Sequence, residues 1–378
     1  MTRRAFRLPV VLLPLALAAC ATQATPPPED PATAPAADAS PAPAAPDTGA
    51  SALLPKVPQP PERPVAPPSV TDPAIALDQR IDAFVDYTAQ AYGVDPQLVR
   101  DTLAKAEYKQ SIIDAISRPA EKVRPWRDYR PIFLNDARIS GGKAFYAANR
   151  AALDRVASET GVPARYIVAI IGVETSYGKI TGNYRVLDAL YTLAFWHPKR
   201  APFFAGELAQ LFALAKEEPQ LDLLALKGSY AGAMGMGQFM PSSYRNWAKD
   251  GDGDGRRDLL DHKPDVFASI ANYFVVHGWQ RGGPVVARAT RDTAATDFAP
   301  DGLDPVYPLP MLAAKGYAPQ PGQPVGEGAT LLSLDGDAGK EYWLGYRNFY
   351  VISRYNHSPM YSLAVHQLAQ AIGDSDAP

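Results

Sequence analysis

Residues Tyr166-Ile-Val-Ala-Ile-Ile-Gly-Val173 are apolar at nearly every position. A helix that is apolar around its circumference has no face to give to water, so it must lie inside a body built by other elements. The chain supplies those elements. Periodicity of 3.6 predicts helices over 77–92, 96–116, 143–160, 163–176, 186–196, 203–217, 264–278 and 349–372. Asp95-Pro96 reads as an N-cap followed by proline at the first helical position, and Gly161 reads as a helix stop. Residues 283–348 break the pattern with clustered prolines and short apolar pieces, which predicts an insertion of loops and short strands. The expected fold class is mainly α (α+β), a helical core with a small β insertion.

The body starts late. Arg3, Arg4 and Arg7 precede an apolar run from Leu8 to Ala19, the pattern of a secretory signal and too short to cross a bilayer. The run ends Leu17-Ala18-Ala19-Cys20, which looks like a bacterial lipobox and implies cleavage before Cys20 and acylation of its sulfur. Cys20 is the only cysteine, so disulfides and a cysteine zinc site are excluded. Ala21 follows where an aspartate would resemble an inner-membrane retention signal, so the outer membrane, periplasmic face, is the expected location. Residues 21–73 hold 16 of the 38 prolines, and 20–74 is expected to be a disordered tether. The folded body is then 75–378. A net charge of −3 argues against nucleic acid as a partner. The sequence holds no phosphate-binding glycine loop, dinucleotide fingerprint, nucleophile elbow or paired zinc histidines.

One carboxylate, Glu174, interrupts the apolar helix near its C-terminal end. Burial and the negative end of the helix dipole both favour its neutral form, the state a general acid needs. A partner such as Arg185, Lys179 or a backbone donor is the alternative. Asp188, the nearest second carboxylate, reads as a helix-start charge or ion-pair partner. Downstream, Gly228, Gly232, Gly235 and Gly237 would allow close approach of a ligand or a neighbouring helix. Met234, Met236 and Met240 read as core or cleft wall.

Asp250-Gly-Asp252-Gly-Asp254-Gly255-Arg256-Arg257-Asp258-Leu259-Leu260-Asp261 has the spacing of an EF-hand loop. Side-chain oxygens fall at Asp250, Asp252, Asp254, Asp258 and Asp261, with the Arg256 carbonyl between them. Aspartate replaces the usual glutamate at the last position. A structural Ca2+ is the expected cofactor, and no organic cofactor is expected.

The segment Ile170-Ile-Gly-Val-Glu174-Thr-Ser-Tyr-Gly178 resembles the catalytic segment of the lytic murein transglycosylases of the B type. Further matches follow in the same order: Pro125-Trp-Arg-Asp-Tyr-Arg130, Gly228 to Tyr244, Ala271-Asn-Tyr-Phe274 with His277-Gly-Trp279, Asn348-Phe-Tyr350, and Arg354-Tyr-Asn-His-Ser358 ending at Tyr361. The resemblance spans about 75–370. It implies a lysozyme-like core and cleavage of the β-1,4 bond between N-acetylmuramic acid and N-acetylglucosamine, leaving a 1,6-anhydro end. It matches Glu174 to the catalytic acid, and Tyr129, Ser229, Gln238, Tyr273, Tyr355, Asn356 and Tyr361 to groups lining the glycan cleft. Ser229 and Gln238 are expected to donate hydrogen bonds to the sugar, and the tyrosines, Tyr230, Tyr244 and Tyr350 among them, to offer flat faces to its rings. With a single convincing carboxylate, the substrate's own acetamido group would assist, and Glu174 would act first as acid and then as base. A hydrolytic muramidase and a catalytically silent glycan-binding lipoprotein are the alternatives. Peptidoglycan strands and the membrane are the expected partners. A monomer is expected, and other envelope proteins are admitted as partners without being specified.

Overall fold

The computed structural model describes residues 52–60, 65–117 and 124–373. The leader 1–19, Cys20 and most of the tether lie outside the described residues. Among the described residues no single helix is long and apolar enough to cross a membrane. The chain divides into a helical unit, Gln59–Gly282 with 363–373, and a β unit, Gly283–Ser362 with 52–58.

In the helical unit, helix Ala164–Thr175 is buried along almost its whole length. It packs against helices Asp136–Ala148, Arg150–Thr160 and Lys263–Val276. Helices Val186–Trp196 and Ala201–Glu217 lie along each other and bury Leu187, Leu190, Leu193, Phe204, Leu208 and Phe212. Burying each such side chain contributes roughly 1.5–3 kcal/mol.

Two predicted helices of this unit are broken in two, each for a local reason. The stretch 96–116 splits into Pro96–Leu103 and Gln110–Ser117. Between them the Glu107 N–H donates to Asp188 Oδ1 (2.8 Å) and the Lys109 N–H to Thr192 Oγ1 (3.0 Å), so tertiary partners replace the helix ladder. The stretch 143–160 becomes Asp136–Ala148 and Arg150–Thr160, parted at Asn149, whose side-chain amide donates to Phe145 O (2.7 Å).

The predicted start of order also moves. Ala66 is buried and its N–H donates to Pro202 O (3.0 Å), and Val70 in the short helix Pro68–Thr71 is wholly buried. The tether expected over 20–74 is therefore already part of the body at these positions. Isolated apolar residues within the proline-rich stretch find partners that composition does not reveal.

In the β unit an antiparallel sheet has the strand order Tyr307–Pro308, Gly328–Gly336, Gly339–Gly345, Val286–Arg291, Tyr317–Pro319. The central hairpin pairs Leu332 with Trp343 and Gly336 with Gly339. Ala287, Ala289, Leu331, Leu344, Tyr317 and Tyr346 form its core. Leu54 of the upstream segment donates its N–H to Val306 O (2.7 Å), and Val57 is buried. The predicted helix 349–372 is also parted, into Arg347–Tyr355 and Pro359–Ile372; Asn356 Oδ1 accepts the Ser358 N–H (3.0 Å) and Pro359 lacks an N–H.

Candidate active site

Glu174 stands on the last turn of its helix and is half-buried, between the buried Val173 and Thr175. Immediately after it the backbone turns left-handed at Ser176 (φ 53°), Tyr177 (φ 64°) and Gly178 (φ 82°). Among the described residues the non-glycine positions with positive φ are Ser176, Tyr177 and Gln238. Each costs on the order of 1 kcal/mol and persists only when its surroundings over-determine it.

Those surroundings are visible. The Ser176 N–H donates to Gly172 O and the Tyr177 N–H to Ile171 O, both at 3.2 Å, closing the helix end. Thr175 Oγ1 accepts the Gly178 N–H (3.0 Å) and lies within hydrogen-bond reach of Ile171 O (3.1 Å) and Met236 O (2.9 Å). It thus ties the glutamate helix to the glycine-rich segment. The Tyr177 ring fills a slot left by Gly141, Gly142 and Gly172; a Cβ on Gly172 would come within 2.8 Å of the ring. Its hydroxyl donates to Arg138 O (2.6 Å), and the Arg138 guanidinium donates to Gly172 O, which also accepts the Ser176 N–H. Burial pushes the Tyr177 phenol up to about 12, so it stays protonated as a donor.

The segment 228–240 folds as stacked turns. Strand Tyr184–Arg185 pairs with Lys227–Gly228, Gly228 bridges to Met234, and Met234 bridges to Phe239. Ser229 Oγ accepts the Ala231 N–H (3.2 Å) and the Ala233 N–H (3.1 Å), which leaves its hydroxyl proton to donate. Gln238 differs from expectation. Its Nε2 donates to Thr181 O (3.1 Å) and Gly235 O (3.0 Å), so both amide protons are used within the fold. What the side chain offers a ligand is its Oε1, an acceptor.

Tyr129, on helix Trp126–Phe133, is half-buried beside Trp126 and Phe133. Burial first, and the Glu174 carboxylate second, push its phenol well above the ordinary range. That second influence places Tyr129 within electrostatic reach of Glu174. Tyr273 is buried and stacks on His277 at 4.0 Å between ring centroids, with Trp247 edge-on at 4.9 Å. The remaining expected cleft residues belong to the β unit. Tyr355 ends helix Arg347–Tyr355 and is half-buried, Asn356 follows in extended backbone, and Tyr361 is wholly buried. Of the other tyrosines expected to face sugars, Tyr230, Tyr244 and Tyr350 are buried. Asp188 pairs with Arg185, as its position next to the helix start suggested.

In the predicted cation loop, Asp250 accepts N–H groups from Gly253 (2.6 Å) and Gly255 (2.8 Å). Carboxylate oxygens of Asp250 and Asp252 lie within 4.8 Å of one from Asp265, and ligand atoms of Asp252 and Asp254 lie equally close to one from His262. The hard oxygen donors of Asp250, Asp252 and Asp254 on a turn bent by left-handed glycines suit Ca2+. Asp258 and Asp261 are outside these groups. Asp258 Oδ1 accepts the Leu260 N–H (2.8 Å), and Asp261 lines a cavity of about 300 Å³ with Thr181, Lys227 and Gly235.

Sequence reasoning missed several members of this neighbourhood. Thr175 and Tyr177 lie inside the motif but act through contacts that no spacing rule encodes. Asp265 lies beyond the loop's twelve positions. Glu207 carried the same signal as Glu174, a lone carboxylate in an apolar helix. Its oxygens accept the Ser242 N–H (2.9 Å) and hydroxyl (2.6 Å), capping the helix Pro241–Trp247.

The family model described as a transglycosylase SLT domain matches residues 76–370. Membrane-bound lytic murein transglycosylase B of Escherichia coli (strain K12) is 42% identical over 300 residues, 76% of this chain and 81% of that protein. The crystal structure of soluble lytic transglycosylase SltB1 from Pseudomonas aeruginosa aligns with a TM-score of 0.71 and 46% identity, covering 78% of this chain and 98% of that one. The Escherichia coli lytic transglycosylase Slt35, solved in complex with calcium, aligns with a TM-score of 0.70 and 39% identity, covering 82% and 95%.

Proposed function

The chain belongs to the lytic murein transglycosylases of the B type and is itself a lytic murein transglycosylase, and on that premise we propose that Glu174 carries both proton transfers of the reaction. Glu174 first gives its proton to the glycosidic oxygen, and the C1–O4 bond breaks. The acetamido oxygen of the muramic sugar holds C1 from the opposite face. Glu174, now a carboxylate, takes the proton of the C6 hydroxyl, and O6 closes on C1 as the 1,6-anhydro ring. No water enters, and the enzyme ends in its starting protonation state.

The observation that supports this assignment is the setting of Glu174: the last turn of a buried helix, fixed by three successive left-handed residues and held to the glycine-rich segment through Thr175. A reacting group kept in one geometry is worth several kcal/mol of barrier. Around it, Ser229 is the donor and Gln238 Oε1 the acceptor for sugar hydroxyls and amides. Tyr129 bounds the carboxylate's surroundings, and Tyr273 stands on helix Lys263–Val276 of the same unit; Tyr355, Asn356 and Tyr361 are proposed as glycan-contacting residues of the β unit. Asp250, Asp252 and Asp254, with the Arg256 carbonyl of the same loop, would hold a structural Ca2+ that neutralises their charge, while Asp258 and Asp261, expected as ligands, stand outside that group. Acylated Cys20 and the tether before residue 52 would fix the enzyme to the periplasmic face of the outer membrane as a monomer acting on peptidoglycan, with no nucleic acid involved.

The test is Glu174→Gln with muropeptide products followed by mass spectrometry. Wild type should give muramic ends lighter than hydrolytic ends by one water. The variant should lose about 10²–10⁴-fold in rate while still binding glycan. Reducing muramic ends from the wild type would assign a hydrolytic muramidase, absence of cleavage by the wild type would assign a glycan-binding lipoprotein, and an unchanged rate in the variant would put Glu174 outside the chemistry.

A further inference from the structure

We propose that the cation loop is a positioning device for Gln238, with Asp265 as the residue that joins them, so that Ca2+ binding and glycan binding strengthen each other. The proposal rests on the readings of the loop as a Ca2+ site and of Gln238 as a cleft residue.

Asp265 is on the first turn of helix Lys263–Val276 and has no exposure to solvent. Its Oδ1 accepts the Gly251 N–H (2.7 Å) and its Oδ2 the Asp258 N–H (2.7 Å). One buried carboxylate thus clamps the beginning of the loop to its end. From Asp258 the chain passes to Leu259, whose N–H donates to Tyr244 Oη (3.1 Å), while Tyr244 Oη donates to Arg257 O. The Leu259 carbonyl lies directly against Gly235: a Cβ on that glycine would be 2.0 Å from the oxygen. Gly235 O in turn accepts the Gln238 N–H (3.2 Å) and one Gln238 Nε2 proton (3.0 Å). Every link from Asp265 to Gln238 is a hydrogen bond or a backbone contact with no slack. Close-packed interiors pass such displacements on instead of absorbing them.

Coupling also needs an element with two arrangements. The loop supplies it. Asp250, Asp252 and Asp254 repel one another unless a cation lies between them. At Gly253 and Gly255, at φ +84° and +86°, a Cβ would meet nothing within 4 Å, so apart from their N–H bonds to Asp250 no packed neighbour opposes a relaxed loop. Relaxation would release Arg257–Leu259 and remove the support behind Gly235. Gln238, already at a left-handed φ of 52°, is poorly placed to hold its geometry without that support.

The test uses the full chain carrying Glu174→Gln, so that glycan binds without being cut. Calorimetry gives the Ca2+ affinity with and without a saturating N-acetylglucosamine–N-acetylmuramic acid tetrasaccharide, and the tetrasaccharide affinity with and without Ca2+. Linkage demands one and the same factor in both directions, expected to be about 5-fold or more. Adding Tyr244→Phe, which removes the hydroxyl between Leu259 and Arg257 without touching a candidate Ca2+ ligand, should bring the factor towards one while Ca2+ still binds. Independent binding, a factor of one with the loop loaded, would overturn the coupling and leave the cation a stabilising staple alone. Absence of Ca2+ binding to the folded chain would overturn the coupling together with the loop assignment, and absence of tetrasaccharide binding would overturn it together with the cleft reading.

Discussion

In the turns of 228–239, a Cβ on Gly235 would sit 2.0 Å from the Leu259 carbonyl, and one on Gly228 would sit 2.2 Å from the Ala233 carbonyl. In the loop 250–261 of the same unit, Gly253 and Gly255 are just as glycine-rich a context, yet have open space around them. The first segment uses glycine for room, so that backbones touch and the groups beside Glu174 have one place to be. The second uses it for a left-handed turn that any residue could occupy sterically at the cost of backbone strain. Residue type is the same, and the physical demand differs because one segment is enclosed by packed elements and the other faces water.

That contrast can be broken by substitution. Gly235→Ala should be the most damaging, because φ +68° and the 2.0 Å overlap act together. A loss of more than about 3 kcal/mol is expected, in the range of severe overpacking, measured as a fall in Tm with loss of cleavage. A loss below 1 kcal/mol would show that the contact yields and that the enclosed segment is as compliant as the open one.

The enclosed surroundings also set a pH dependence. His366, in helix Pro359–Ile372, meets the Tyr166 hydroxyl at 2.9 Å on the glutamate helix. Burial, and then the Arg165 charge, push it down to about 4. A histidine lowered in the folded state leaves the unfolded chain binding more protons between its ordinary value near 6.5 and about 4. Stability is then complete above about 6.5 and falls as pH drops through that window, by on the order of 2–3 kcal/mol after allowance for the ring's residual exposure. Denaturant titrations at neutral and mildly acidic pH should show this loss, and His366→Gln should flatten it. An equal slope in wild type and variant would remove His366 as the cause.

Gly253→Ala should do least. With no neighbour to displace, only the left-handed φ is penalised, about 1 kcal/mol. Calorimetry with Ca2+ should show a modest loss of affinity and an unchanged body. A drop in stability as large as that of Gly235→Ala would mean that the loop is as tightly enclosed as the cleft.

Much of the candidate site was legible because local chemistry marks it. A lone carboxylate in an apolar helix singled out Glu174 as a candidate, and the aspartate spacing singled out Asp250, Asp252 and Asp254, which the fold gathers with Asp265 and His262. The same carboxylate signal is present at Glu207, where the answer is a cap on Ser242. Only the partner distinguishes the two glutamates, and the partner lies 35 positions away in the chain. Gln238 illustrates the same limit. Its amide was legible as a hydrogen-bonding group, but the carbonyls of Thr181 and Gly235 decide that it accepts.

The amino-acid order by itself determined the buried helix, the proline-marked β insertion, the oxygen-rich turn and the family, since these depend on periodicity and spacing between near neighbours. Tertiary structure alone decided where the helices break, which residues before 75 join the body, and that Glu207 caps a helix. Those outcomes depend on hydrogen-bond partners and excluded volume brought together from distant parts of the chain, and no local pattern carries that information.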